Sequence, residues 1–135
     1  MKELEIKKYE HWILKLDDYH QISFPGRCQA WALRQDATFD NMNNEERSEL
    51  LTVVTQWERA MAEICNHYWA HVIFPENEIS QLHAHLIPRS SHNKELEGLI
   101  VIDQKLRNYP IYYGHNAVLP SDILLRIKER IIETI

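Results

Sequence analysis

Glycine and proline are scarce in this chain, three and five residues of 135. The three glycines stand far apart, so there is no Gly-rich phosphate loop of the P-loop or dinucleotide-binding kind, and no segment has the composition of a flexible linker or a low-complexity tract. Cysteine is rarer still. Cys28 and Cys65 are isolated, flanked by apolar residues, and form no C-x-x-C pattern, which predicts two reduced, buried thiols rather than a disulfide or a structural zinc site. Long apolar runs are also missing. None reaches the length that spans a bilayer, and the charged opening Met1 to Glu10, followed by a stretch broken at Lys15 and Asp17, does not resemble a signal peptide. A cytoplasmic protein without membrane contact is the expectation. Positive charge is in deficit, with a net charge of −5. A DNA or RNA polymer binds chiefly through a basic surface, so nonspecific nucleic-acid binding is disfavoured.

What remains is a composition that folds. With 44% hydrophobic residues over 135 positions, the chain can build one core and reads as a single domain over 1–135. His11 to Leu16 mixes apolar and polar positions like a strand, and Asp17-Asp18-Tyr19-His20 supplies turn residues. Pro25-Gly26 marks a second break before the mostly apolar run Cys28 to Leu33, a second strand antiparallel or adjacent to the first. From Asn43 the period changes: Leu50, Val54, Trp57, Met61 and Ile64 recur every three or four residues, widened by Leu51, Val53, Ala60 and Cys65. This predicts a long helix with Asn43 as N-cap, Glu46 three residues on, and a stop near Asn66. Tyr68 to Phe74 reads as a strand, Pro75-Glu76-Asn77-Glu78 as a turn, and Leu99 to Ile102 as a short buried strand. Ser121 and Asp122 open a final amphipathic helix through Ile123, Leu124, Ile127 and Ile131. The expected class is α+β, with a mainly antiparallel sheet, one long central helix and a C-terminal helix. Trp12, Trp31, Trp57 and Trp69 are expected in the core, with one near the site able to serve either role.

Eight histidines are many for this length, and two share the alternating segment Gln81-Leu82-His83-Ala84-His85-Leu86-Ile87-Pro88-Arg89. A strand sends alternate side chains to opposite faces, so Gln81, His83 and His85 are predicted on one face and Leu82, Ala84 and Leu86 on the other. Same-face neighbours lie about 7 Å apart, close enough for one phosphate to meet more than one of them. Three readings stay open on spacing alone. The histidines can be hydrogen-bonded structural residues. They can be two metal ligands, completed by His67, His71, His92 or Cys65. Or a neutral imidazole can act as a nucleophile near pH 7, with a second imidazole assisting the leaving oxygen.

The same segment resembles the histidine-triad (HIT) signature, His-φ-His-φ-His-φ-φ with φ apolar, which often continues into Pro-Arg; it departs at the first place, where Gln81 stands for His. Phe24-Pro25-Gly26-Arg27 resembles the turn before the family's second strand, and the helix at 44–66 and Asn77 fall in the expected order, so the likeness covers about residues 12 to 90. It implies a HIT-like fold and a nucleotide hydrolase or nucleotidyl transferase that needs no metal or other cofactor, working as a homodimer. In that family the middle histidine attacks the α-phosphorus to give a covalent nucleotidyl-imidazole, a role that falls on His83. His85 then contacts the phosphate and assists the leaving group. Arg27 would offset charge near the phosphates, Asn77 would contact phosphate or ribose, and Gln81 would orient the catalytic face by hydrogen bonding; for the ribose contact an ungapped count from Arg27 falls on Tyr19, with Asp17, Asp18 and Gln21 as neighbours that serve after a slip. Two alternatives accompany this reading, a module that binds a nucleotide without turnover and a metal-dependent enzyme ligated by His83 and His85.

Overall fold

The computed structural model describes residues 2–18, 21, 24–65, 68–75, 80–90, 94–101 and 119–135. After a single 3-10 turn at Lys2–Leu4 come β1 (Glu5–Lys8), β2 (Trp12–Leu16), β3 (Cys28–Ala32), α1 (Asn44–Cys65), β4 (Tyr68–Ile73), β5 (His83–Ser90), β6 (Lys94–Leu96), β7 (Leu99–Val101) and α2 (Ser121–Thr134). Five strands form one antiparallel sheet in the order β1-β2-β3-β5-β4, so the fold is α+β as the sequence predicts. The crossing from β3 to β4 through α1 places β5 between them, at the centre of the sheet's working half.

The alternation of each strand sorts the sheet into two faces. Trp12, Leu14 and Leu16 of β2, Cys28, Ala30 and Ala32 of β3, and Ala84 and Leu86 of β5 are all buried in the core with Val53, Trp57, Ala60 and Met61 of α1 and Leu124, Ile127 and Ile131 of α2. Burying an aliphatic or aromatic side chain contributes about 1.5–3 kcal/mol, so a one-residue register slip in β5 would exchange its apolar set for histidines at large cost. The opposite face carries Ile13, Lys15, Gln29, Trp31, His83 and His85.

The start of α1 is a complete capping box. Asn43 Oδ1 accepts from the Glu46 backbone N–H at 2.8 Å, and Glu46 Oε1 accepts from the Asn43 N–H at 2.9 Å. Glu46 is also buried and held by Arg34 at 2.9 Å; this hydrogen bond, with the Asn43 amide, keeps its carboxyl below the ordinary carboxylate value despite burial. Its backbone oxygen accepts from Trp12 Nε1 at 2.9 Å, which ties the helix start to β2.

Several expectations need correction. Leu51 does not widen the helix stripe: it is 71% exposed, because it lies 100° around the helix from Leu50 and away from the sheet. Trp69 is 44% exposed rather than in the core, since β4 is at the sheet's edge. Helix α2, by contrast, opens at Ser121 as expected, with Pro120 in the cap position and no side-chain cap. The charged β1, Glu-Ile-Lys-Lys, has no apolar alternation and gives no strand signal; lysines there suit an edge strand, where they discourage pairing with another chain. Leu99–Val101 does form a strand, and its partner is β6 in a hairpin turning at Glu97-Gly98. Both turn residues have positive φ, 51° and 81°, the type I′ geometry that suits twisted strands. Among the described residues, no helix is long and apolar enough to cross a membrane.

Candidate functional site

The site grows out of the turn at Phe24-Pro25-Gly26-Arg27. Arg27 N–H donates to Phe24 O at 3.0 Å and Gly26 has φ +94°, a type II pattern in which Pro presets the first central residue and Gly supplies the positive φ of the second. Gln21 clamps this turn from behind. Its amide accepts from Gly26 N–H at 2.8 Å and donates to Asp17 O at 2.6 Å and Arg27 O at 2.8 Å. At 1% exposure with its amide engaged on backbone, Gln21 supports the turn, and this corrects the expectation that it meets a ribose. Trp57 Nε1 donates to Gly26 O at 3.1 Å, which anchors the turn to α1.

Arg27 is thereby delivered to the outer face of the sheet. Its Nε lies 2.8 Å from Asp17 Oδ2, with both side chains buried, and its Nη2 lies 2.7 Å from His85 Nδ1. The carboxylate that meets Arg27 is that of Asp17; Asp18, the candidate named from the sequence, is half-buried beside it. An exposed turn arginine is excluded by this geometry.

His83 and His85 stand two places apart on β5, with ring centroids 5.2 Å apart. Across β3 their register partners are Trp31 and Gln29. The Trp31 indole stacks on His83 with centroids 4.0 Å apart and planes 9° from parallel, and Trp31 Nε1 donates to Gln29 Oε1 at 2.9 Å. His83 is 3% exposed, so it is far more enclosed than a cleft-lining residue. Gln81 precedes the strand instead of sharing its alternation. Its backbone oxygen lies 2.8 Å from His83 Nδ1, and its side-chain amide donates to Ala32 O at 2.5 Å.

For neutral rings these contacts select the tautomers by elimination. A carbonyl oxygen only accepts, so His83 Nδ1 carries its proton and Nε2 keeps the lone pair. A guanidinium only donates, so His85 Nδ1 is the acceptor and Nε2 bears the proton. A neutral His85 in this state offers a hydrogen bond through Nε2, and full transfer of that proton would leave an imidazolate. The Trp31 stack covers a face of the His83 ring and leaves the in-plane lone pair of Nε2 unobstructed by the indole.

Arg89, fully buried, closes the far end of β5. Its guanidinium sits 5.6 Å from the centroid of Phe24 and its Nη1 lies 3.1 Å from His71 Nδ1, so the arginine that ends the motif braces the turn carrying Arg27. Beside His83 a cleft of about 360 Å³ is lined by Ile13, Lys15, Trp31, Leu33, Gln35 and Gln81. Cys28 and Cys65 are both buried, as expected, and burial pushes the Cys28 thiol well above its usual value, which makes it unreactive. Among the described residues, no three His, Cys, Asp or Glu side chains are grouped to hold a metal ion. Asn77, His67, His92 and Tyr19 lie outside the described residues. The sequence names Asp17 as a possible ribose contact and leaves open which tryptophan nears the site; turn geometry brings Asp17 to Arg27 and strand register brings Trp31 to His83, pairings not visible in a linear pattern.

No family model matches the chain, and no curated protein matches it. Solved structures do. A histidine triad protein from Bradyrhizobium japonicum superposes with a TM-score of 0.73 at 15% identity over 98% of this chain and 92% of its own. A hypothetical histidine triad nucleotide-binding protein from Sulfolobus tokodaii gives 0.72 at 13% identity over 97% and 82%. The chain has the histidine-triad fold. A zinc-bound histidine triad family protein from Mycobacterium smegmatis shares it more loosely, with a TM-score of 0.60 at 12% identity over 96% and 84%. Within the histidine-triad fold, this chain's outer sheet face brings together His83, His85, Arg27 and Trp31, while the inner face supplies the core. At such low identities the likeness carries the architecture, and the chemistry has to be argued from the side chains.

Proposed function

We propose that this protein is a nucleotide-binding hydrolase or nucleotidyl transferase acting at an α-phosphate, with His83 as nucleophile. The observation that carries the reading is the pair of opposed tautomers. His83 Nε2 presents a lone pair while His85 Nε2 presents a hydrogen, which suits attack on a phosphorus whose oxygens need a donor. Nε2 of His83 bonds to phosphorus, the bond to the leaving group breaks, and the leaving group takes its proton from solvent. Water or another acceptor then attacks phosphorus, displaces His83 and releases the nucleotide. Arg27 acts on this step through His85, which it orients, and by its positive charge beside the developing phosphorane. A homodimer belongs to the same proposal, supported by the edge position of β4 and the exposure of Trp69 and Val72 on it; light scattering on the pure protein tests it.

Rapid-quench mass spectrometry tests the chemistry. Mixed with a nucleoside phosphoramidate, the protein should gain the mass of one nucleoside monophosphate less one water, and His83→Ala should lose both this adduct and turnover while melting cooperatively. Tight nucleotide binding without adduct or turnover would replace the enzyme by a binding module. The enclosure of His83 at 3% exposure favours that second reading, because a nucleophile has to be reached. Near-stoichiometric zinc or iron, lost in a His83→Ala His85→Ala double variant, would instead support a metal site.

A further inference from the structure

The cleft beside His83 is not used by the mechanism above, and its walls are chemically uneven. Ile13, Trp31 and Leu33 give it an apolar floor, Gln35 and Gln81 bring amides, and among the described residues Lys15 is its one charged side chain. Lys15 is paired in register with Glu5 on β1 and Gln29 on β3, yet among the described residues no carboxylate forms an ion pair with its ammonium. On a chain of net charge −5, a cation with no ion-pair partner among the described residues, at the edge of an apolar pocket, is a selective feature. The volume, about 360 Å³, lies within the range of small-ligand pockets. Two contacts join the pocket to the histidines: Trp31 is the ring stacked on His83, and Gln81 supplies the carbonyl that holds His83 Nδ1.

We propose that this cleft is a subsite for an apolar, ring-sized group bearing a carboxylate, with the ring against Ile13, Trp31 and Leu33 and the carboxylate on Lys15. Such a group would be part of the substrate outside the nucleotide, so Lys15 would select substrates by charge. Only the turnover arm below rests on the nucleotide reading; the binding arm does not.

The binding arm uses the full chain and two free probes, 3-phenylpropionate and its amide, titrated over the millimolar range and followed by the indole N–H resonance of Trp31. The carboxylate should bind at least tenfold more tightly than the amide. Lys15→Gln should remove the preference and Lys15→Arg should keep it. Equal affinities, no binding of either probe, or a preference that survives Lys15→Gln would overturn the proposal. The turnover arm compares adenosine and guanosine 5′-phosphoramidates of phenylalanine and of phenethylamine, with kcat/KM expected at least tenfold higher for the phenylalanine compounds and equalised by Lys15→Gln. Turnover without that preference overturns the subsite and leaves the enzyme. Carboxylate binding that depends on Lys15, with no turnover of any nucleotide, keeps the subsite and removes the enzyme.

Discussion

Replacing Gly26 by alanine tests how the turn, the core and the site are coupled. Gly26 has φ +94°, and a methyl group placed there would lie 2.8 Å from Met61 Sδ and closer still to Met61 Cε. Met61 is fully buried on α1, so its end cannot swing into solvent. A left-handed backbone costs an L-residue about 1–2 kcal/mol, and forcing an extra methyl into a packed core costs about 1–3 kcal/mol. The stiffer unfolded chain returns about 0.4–1 kcal/mol. Gly26→Ala should therefore lose about 1–5 kcal/mol, a sizeable part of a stability that for most domains is about 5–15 kcal/mol. Urea unfolding followed by tryptophan fluorescence is the assay, since Trp57 hydrogen-bonds to Gly26 O. Met61→Ala alone should cost about 2–5 kcal/mol through its cavity. Combined with Gly26→Ala it should cost less than the sum by about 1–3 kcal/mol, because the overpacking disappears while the backbone strain stays. An alanine variant within about 0.5 kcal/mol of wild type, or an additive cycle, would refute the argument that the turn is held in place by the core.

His85→Ala should slow turnover by the same factor for good and poor leaving groups, because His85 is held by Arg27 as a hydrogen-bond donor; a loss that grows with leaving-group basicity, measured across a series of phosphoramidates, would restore a proton-donating role. Glu46 has its carboxyl held below the ordinary value, first by Arg34 and then by the Asn43 amide, so its contribution is present above that ordinary value and is lost as pH falls through the lower folded one. Glu46→Gln should accordingly cost about 1 kcal/mol at pH 7, the usual worth of a cap, and flatten the acid side of the melting-temperature profile; parallel profiles for the two proteins would contradict this. Gln81→His should change single-turnover rates by less than about threefold, and a gain of tenfold, about 1.4 kcal/mol of barrier, would show that the first position needs an imidazole.

The elements that could be read from the sequence are those whose signal is local. Helix α1 is legible because its apolar spacing and its Asn43–Glu46 cap lie within a few residues of one another, and β5 because its alternation is strict. What could not be read depends on pairing between distant segments. Trp31 meets His83 only because β3 and β5 align in one register, and Arg27 meets His85 only because a type II turn at Pro25-Gly26 directs it there. Asp17 and Asp18 are equivalent as letters, and the end of β2 decides which one points at the guanidinium. The edge strand β1 is invisible for a different reason: its stability comes from pairing with β2 while its side chains stay polar.

Gln81 illustrates how a side chain can change while its position keeps a duty. The orientation of His83 comes from the backbone oxygen of residue 81, which every amino acid possesses, so the proton on His83 Nδ1 is fixed whatever the side chain is. The glutamine amide does separate work, donating to Ala32 O and joining the approach of β5 to the end of β3. An imidazole at 81 could make one such hydrogen bond through a single ring nitrogen, but not add a proton to His83 through a carbonyl. A glutamine at 81 therefore leaves the tautomer of the proposed nucleophile unaltered. On the proposed reading, access of a substrate to His83, which is 3% exposed, decides between turnover and binding alone, and the rapid-quench adduct reads it directly.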